Sequence, residues 1–361
     1  MRLRVQRALS TLGLTRVRVA LLRPVNRTEG GGWTVPLVVL PGGSFSEVEA
    51  AAERIAIALR VEEVRLHRTG PRVIELTTRP ALPDHLPDYP YPVEPVGLVP
   101  ARTPAAVGIG VDADGRVVEL PLFDEAGGTV VLVAGSPGSG KSSALRLILA
   151  GTSPTATTVM WFDPKGGADA APFAHRVEAI ADAIIASVVL DRLNLLVELI
   201  NTRSRALAAG WSPSLLRPVL VLVDEWASFG VDGSKQERAE VEAALRRIAA
   251  TGRAARVSLV LATQRPTSTT IDVATRGLAA TRLCFAVGDQ HASVAALGLP
   301  GAELLHPARD RGTALIYDGA ELRKVRCFRV PPNLITATRA AAGLATPVAD
   351  LLALERAALG A

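Results

Sequence analysis

Apolar and polar positions follow two rhythms along this chain. Up to about residue 80 they alternate: WTVPLVVLP (33 to 41) predicts a strand, and SEVEAAAERIAIALRV (46 to 61) predicts a helix, opened by Ser46 with Glu49 three residues on as a capping box. EEVRLHRTGPRVIELTTRP then predicts two strands turning around Thr69-Gly70-Pro71. These elements describe a small α/β domain over 1 to 80. Prolines at 80, 83, 87, 90, 92, 95, 100 and 104 forbid regular structure and predict an extended linker over 81 to 104. From 105 to 330 the rhythm changes to near-continuous apolar runs. TVVLVAG, TTVMWFD, PVLVLVDE, VSLVLATQ and TRLCFAVGD alternate with helix-like stretches, which predicts an α/β fold with a mostly parallel sheet covered by helices. The apolar stretch 179 to 200 is broken by Asp182, Asp191, Arg192, Asn194 and Glu198, so it predicts an amphipathic or buried helix and not a membrane span. The tail, 331 to 361, predicts one Ala/Leu-rich helix at most. No internal repeat is detectable.

Composition refines this picture in three ways. At 361 residues the chain exceeds what a single core usually serves, which agrees with a small domain followed by a larger one. Cys284 and Cys327 stand singly in strand-like segments without CxxC spacing, a pattern that fits core thiols in a reducing cytosol and argues against zinc. Residues 1 to 30 hold seven arginines and one acid, whereas the whole chain carries a net charge of only +5. That basic leader suits nucleic acid or anionic lipid, or is a solvated face of ordinary elements. Its arginines also break up the apolar residues a signal peptide would need, so a cytoplasmic location is expected.

The chemistry concentrates at the ends of the apolar runs. VVLVAGSPGSGKSSALRLILA passes from a strand through a glycine-rich turn into a helix, and Gly135, Gly140, Lys141 and Ser142 satisfy G-x-x-x-x-G-K-[ST]. In the loop formed by Gly135, Ser136, Pro137, Gly138, Ser139, Gly140, Lys141, Ser142 and Ser143, glycines let backbone N–H groups converge on phosphate oxygens at a helix N-terminus. Lys141 then offers a charge to the β- and γ-phosphates of ATP, and Ser142 a hydroxyl to Mg2+. The chain contains few lysines beside its many arginines, yet a lysine stands at this position. PVLVLVDEW ends a second apolar strand with Asp224, a candidate Mg2+ residue, and Glu225, a candidate base for the attacking water. VSLVLATQRP places Gln264 at the end of a third, where an amide could contact the γ-phosphate or orient water.

In this order VAGSPGSGKSS, FDPKGG (162 to 167), LVLVDEWA and LVLATQRPTSTTID, followed by ATRLCFAVGD, resemble the FtsK/SpoIIIE family of DNA-translocating motors. The resemblance covers 105 to 330, and more weakly the small domain before it. It implies a RecA-like P-loop ATPase core working as a ring, a hexamer in that family, around duplex DNA. A ring ATPase needs a cation reaching across the subunit interface, for which Arg282 is preferred over Arg253. Asp163 and Lys165 are expected near the nucleotide or the subunit interface, with a plain Pro/Gly turn as the alternative. The chain departs from septal members, which carry transmembrane helices and often a winged-helix tail; it looks like a bare motor of the kind used in conjugative transfer or in chromosome or plasmid partition. Two other classes stay open. One is an ATPase that powers protein secretion through a membrane-protein partner, and the other is a static ATP-gated DNA-binding protein, against which the intact Glu225 argues.

Overall fold

A computed structural model of the chain describes residues 1–27, 32–61, 63–79, 106–113, 115–124, 126–152, 156–268, 270–271, 273–329 and 346–359. They divide between two units, one built from 1–85 with 111–118 and the other from 86–110 with 119–361. The proline-rich linker expected at 81–104 and the stretch 330–345 lie outside the described residues.

The first unit contains α1 (Arg2–Thr11), β1 (Val17–Val19), β2 (Asn26–Arg27), β3 (Trp33–Val39), α2 (Phe45–Ala50), α3 (Ala52–Leu59), β4 (Glu63–Gly70) and β5 (Val73–Arg79). Its sheet is antiparallel in the order β1-β3-β5-β4, with β2 paired to β3. Val35, Leu37, Ile74 and Leu76 bury one sheet face against Val5, Leu9, Val48, Ile55 and Leu59 of the helices. The capping box differs from the sequence expectation. Ser44, not Ser46, is the N-cap, in extended geometry at φ −132°, accepting from the Glu47 N–H while the Glu47 carboxylate accepts from the Ser44 N–H. The Gly42-Gly43 pair ends the preceding turn, so the helix starts two residues early, and it breaks at Ala51 into α2 and α3. S-x-x-E occurs twice in SFSEVEA, and local pattern alone does not choose between the two registers.

The second sheet has ten strands. It is assembled from β6 (Ala106–Asp112), β7 (Val117–Pro121), β10 (Val130–Ala134), β11 (Thr158–Phe162), β12 (Glu178–Ile180), β13 (Val219–Val223), β14 (Val257–Thr263), β15 (Thr281–Phe285), β16 (Thr313–Tyr317) and β17 (Leu322–Cys327). A short antiparallel pair, β8 (Phe123–Asp124) and β9 (Gly127–Gly128), stands apart from it. The order is β12-β11-β13-β14-β10-β15-β16-β17-β6-β7. The six strands from β12 to β15 are parallel, and β16 and β17 extend the sheet antiparallel. Every residue of β10, β11, β13 and β14 is buried, as strands covered on both faces must be. The mostly parallel α/β sheet is therefore present as the apolar runs indicate.

The helices of this unit are α4 (Lys141–Gly151), α5 (Ala186–Ala208), α6 (Lys235–Thr251), α7 (Val273–Leu278), α8 (Gln290–Leu297) and α9 (Val348–Leu359). One sheet face packs Leu132, Met160, Val221 and Leu259 against α5, α6 and α9. The long helix begins at Ala186, not 179, because Glu178–Ile180 is recruited as edge strand β12 beside β11; it then runs on to Ala208. Its buried Ala186, Val189, Leu193, Leu196 and Ile200 keep the three-and-four spacing of an amphipathic stripe. Burial pushes the thiols of Cys284 and Cys327 upward, the latter to about 12, so both are inert core groups. No helix among the described residues is long and apolar enough to cross a membrane.

Candidate nucleotide site

Four adjacent parallel strands, β10, β14, β13 and β11, bring their carboxyl ends together, and each contributes to one cluster. The loop after β10 is fastened to its neighbours: Gly135 N–H donates to Thr263 O at 3.2 Å and Ser136 N–H to Ala286 O at 2.8 Å. Ser139 Oγ donates back to Ser136 O at 2.7 Å. Gly138 and Gly140 take φ of +78° and +131°, which side-chain-bearing residues rarely adopt, and this lets the loop curl before α4. The N-terminus of α4 has no side-chain cap and no acid in its first turn, whereas α2 and α6 both open with capping boxes. Its first N–H groups and the positive end of its dipole are left to an anion.

Across from the loop, Asp224 follows β13 fully buried. Lys141 Nζ lies 2.5 Å from Asp224 Oδ1 and 2.7 Å from the Asp224 carbonyl. Lys165 Nζ lies 2.9 Å from Asp224 Oδ2. Burial alone would raise the Asp224 carboxyl, but Lys141 and then Lys165 hold it below its ordinary range. Burial likewise pulls Lys165 down, and Asp224 with Asp169 more than offset it, so its ammonium titrates above the usual lysine value. Asp163, expected near the nucleotide or the interface, is wholly buried and organises the DPKGG turn: its carboxylate accepts from the N–H groups of Lys165, Asp169 and Ala170.

Asp169 was not singled out by sequence reasoning. Its carboxylate accepts from Ser142 Oγ at 3.2 Å and Arg146 Nη2 at 2.7 Å, and it lies 3.4 Å from Lys165 Nζ. Thr263 was missed too. Its hydroxyl donates to Glu225 Oε1 at 2.8 Å, and the Gln264 N–H donates to both Glu225 oxygens at 3.2 and 3.0 Å. Glu225 is thereby fixed in a 7% exposed position, beside Asp224 and at the end of β13. Gln264 contributes this N–H while its side chain remains partly exposed.

The two arginines lie elsewhere. Arg282, inside β15, donates from Nε to Ala279 O at 3.1 Å and from Nη1 to Leu297 O at 2.8 Å, and its guanidinium stands over the Tyr317 ring. Arg253 precedes β14, is largely exposed, and pairs with Asp124 at 2.7 Å.

The residues present fit ATP with Mg2+: an uncapped helix N-terminus for phosphate, a buried ammonium at Lys141, and hard oxygen donors at Ser142 and Asp224. Ser142 and Asp224 would hold a magnesium ion there, which would supply charge neutralisation to the phosphates. Among the described residues no three His, Cys, Asp or Glu side chains form a self-contained metal centre.

A glycine loop and lysine at one parallel strand end, faced by acids at the next but one, define the P-loop ATPase fold. Within that class, the FtsK/SpoIIIE family model matches residues 174–268, a segment that includes Asp224, Glu225, Thr263 and Gln264. DNA translocase FtsK of Staphylococcus aureus (strain Mu50 / ATCC 700699) is 28% identical over 303 residues, covering 73% of this chain and 36% of that protein. DNA translocase SftA of Bacillus subtilis (strain 168) is 25% identical over 310 residues, covering 79% and 31%. The chain thus spans about a third of the length of the curated relatives it matches. Among solved structures, the pCW3 conjugation coupling protein TcpA, in a monomer form with ATPgS, aligns over 94% of this chain and 99% of its own, with a TM-score of 0.63 at 18% identity. The cytoplasmic domain of the Thermomonospora curvata type VII secretion ATPase EccC aligns over 72% of this chain and 34% of its own, with a TM-score of 0.58 at 23% identity. These two likenesses are of fold.

Proposed function

We propose that this chain hydrolyses ATP and uses the energy to move double-stranded DNA, working as one copy in a ring of identical subunits, with conjugative transfer or partition as the setting. The observation that carries the reading is the pair Asp224-Glu225, within the segment the FtsK/SpoIIIE family model matches, with Asp224 2.5 Å from Lys141 of the P-loop. In this reading Lys141 binds the β- and γ-phosphates, and Ser142 and Asp224 hold Mg2+. Glu225, oriented by Thr263 and the Gln264 N–H, takes the proton of the attacking water, and the Gln264 amide helps to place that water. A ring that grips DNA through phosphates reads little sequence.

ATP hydrolysis by the full chain, measured with and without duplexes of unrelated sequence, tests this. Stimulation to similar extents by all of them, falling steeply with salt, is expected, together with ATP-dependent displacement of a triplex-forming strand placed far from the loading point. The fold shared with EccC favours a second reading, an ATPase driving protein secretion through a membrane partner. Turnover indifferent to nucleic acid but raised by a protein partner would establish that reading and refute the first.

A further inference from the structure

Lys165 is a second ammonium in the nucleotide site, and the strand order shows from which side it comes. The P-loop follows β10; β14, β13 and β11 lie beyond it in that order. Lys141 starts at the loop and reaches across the end of β14 to Asp224 after β13. That path runs from the helix N-terminus, where the β-phosphate is cradled, toward Glu225, which must face the γ-phosphate. Lys165 arrives from β11, on the far side of Asp224, and takes that carboxylate's other oxygen at 2.9 Å. It therefore approaches the site from the side of Asp224 away from the P-loop strand.

Its mounting supports such a role. The turn that carries it is anchored by the buried Asp163, while the Lys165 side chain remains 35% exposed, against 3% for Lys141. Asp169, pinned by Arg146, offers a second carboxylate at 3.4 Å, so the ammonium is held at the cleft by two acids and buried by neither.

We propose that Lys165 binds the γ-phosphate and makes the site prefer ATP over ADP, an inference that rests on the ATPase reading above. Lys141 and the loop N–H groups serve both nucleotides, because both have a β-phosphate; Lys165 serves only the one with a third. The test is equilibrium displacement of a fluorescent nucleotide from the full chain by Mg-ATP and by Mg-ADP. Losing one charge-assisted hydrogen bond, Lys165→Met should weaken ATP about ten- to hundredfold and leave ADP within about threefold, and Lys165→Arg should restore most of the preference. Equal weakening of both nucleotides would show that Lys165 only neutralises Asp224, and no change in either would remove it from the site; each result overturns the proposal and spares the ATPase reading. A parent chain that binds neither nucleotide would overturn both.

Discussion

Replacing Glu225 by glutamine removes a proton acceptor while keeping its shape, and the structure shows what that replacement meets. Glu225 Oε1 accepts from the Thr263 hydroxyl at 2.8 Å and the Gln264 N–H at 3.2 Å, and Oε2 accepts from the same N–H at 3.0 Å. A glutamine carbonyl placed at the first oxygen keeps both donors satisfied. Its NH2 then faces an N–H that still has an acceptor, so one charge-assisted bond is weakened and no donor is orphaned. The stability cost is about 1 kcal/mol, a small part of the roughly 5–15 kcal/mol that holds a domain folded. The chemical cost is larger, since a positioned base contributes about 10²–10⁴ in rate, or roughly 2.7–5.5 kcal/mol of transition-state stabilisation. Glu225→Gln should therefore bind ATP as the parent does, because Lys141 and Ser142 are untouched, melt within a few degrees of it, and release phosphate at least about a hundredfold more slowly. Phosphate release under saturating ATP, with nucleotide binding and thermal melting as controls, decides the matter. Turnover within about tenfold of the parent would remove Glu225 from the role of base.

Arg256 holds φ at +55° with its carbonyl bonded to the Val219 N–H, so Arg256→Gly should be about 1 kcal/mol more stable than Arg256→Ala in urea denaturation, although both lose the same guanidinium contact to Pro213. Equal stabilities would mean that the backbone relaxes on substitution. Arg253 lies before β14, about 20 Å of strand away from Thr263 at the other end, so it does not serve the site of its own chain. Mixing Arg253→Ala chains with Lys141→Ala chains should then restore ATP hydrolysis that neither has alone, and no recovery in assemblies shown to be mixed would exclude it as the bridging cation.

The parts of the site that the sequence reveals are those where the backbone's own grammar ends. Gly135 to Ser143, Asp224-Glu225 and Gln264 each follow a near-continuous apolar run, and in a parallel sheet such runs finish on the same edge, so their meeting is legible from one dimension. The groups that orient them are not. Thr263 reads as one more β-branched strand residue, and only the pairing of β14 beside β13 turns its hydroxyl onto Glu225. Asp169 and Arg146 belong to a turn and a helix whose spacing carries no signal; their ion pair at 2.7 Å exists because the DPKGG turn folds over α4. The same limit explains the fold-level differences. Recruitment of Glu178–Ile180 as an edge strand depends on an open neighbour at β11, and the choice between two S-x-x-E registers depends on where the glycine turn before it ends.

The preference for Arg282 as a bridging cation shows how tertiary contacts redistribute chemical roles. By sequence it opens a strand in a family motif, which is a good place for a cation. In the fold its guanidinium closes the backbone of its own chain, bonding Ala279 O and Leu297 O and resting 5.3 Å from the centre of the Tyr317 ring. Burial and the nearby Arg276 lower its pKa, and the Tyr317 oxygen partly offsets them, so this is a cation already committed to holding α8 against β15. Moving it across an interface would strip two carbonyls of their donor, at roughly 1–3 kcal/mol for each left buried without a partner. Arg253 carries no such burden: it pairs with Asp124, a partly exposed carboxylate, and a surface pair of that kind is worth about 0–1 kcal/mol. A cation that must exchange its partner once per cycle is better drawn from a weak surface pair than from a part-buried brace, and on that ground we propose Arg253 ahead of Arg282 as the candidate for a trans role.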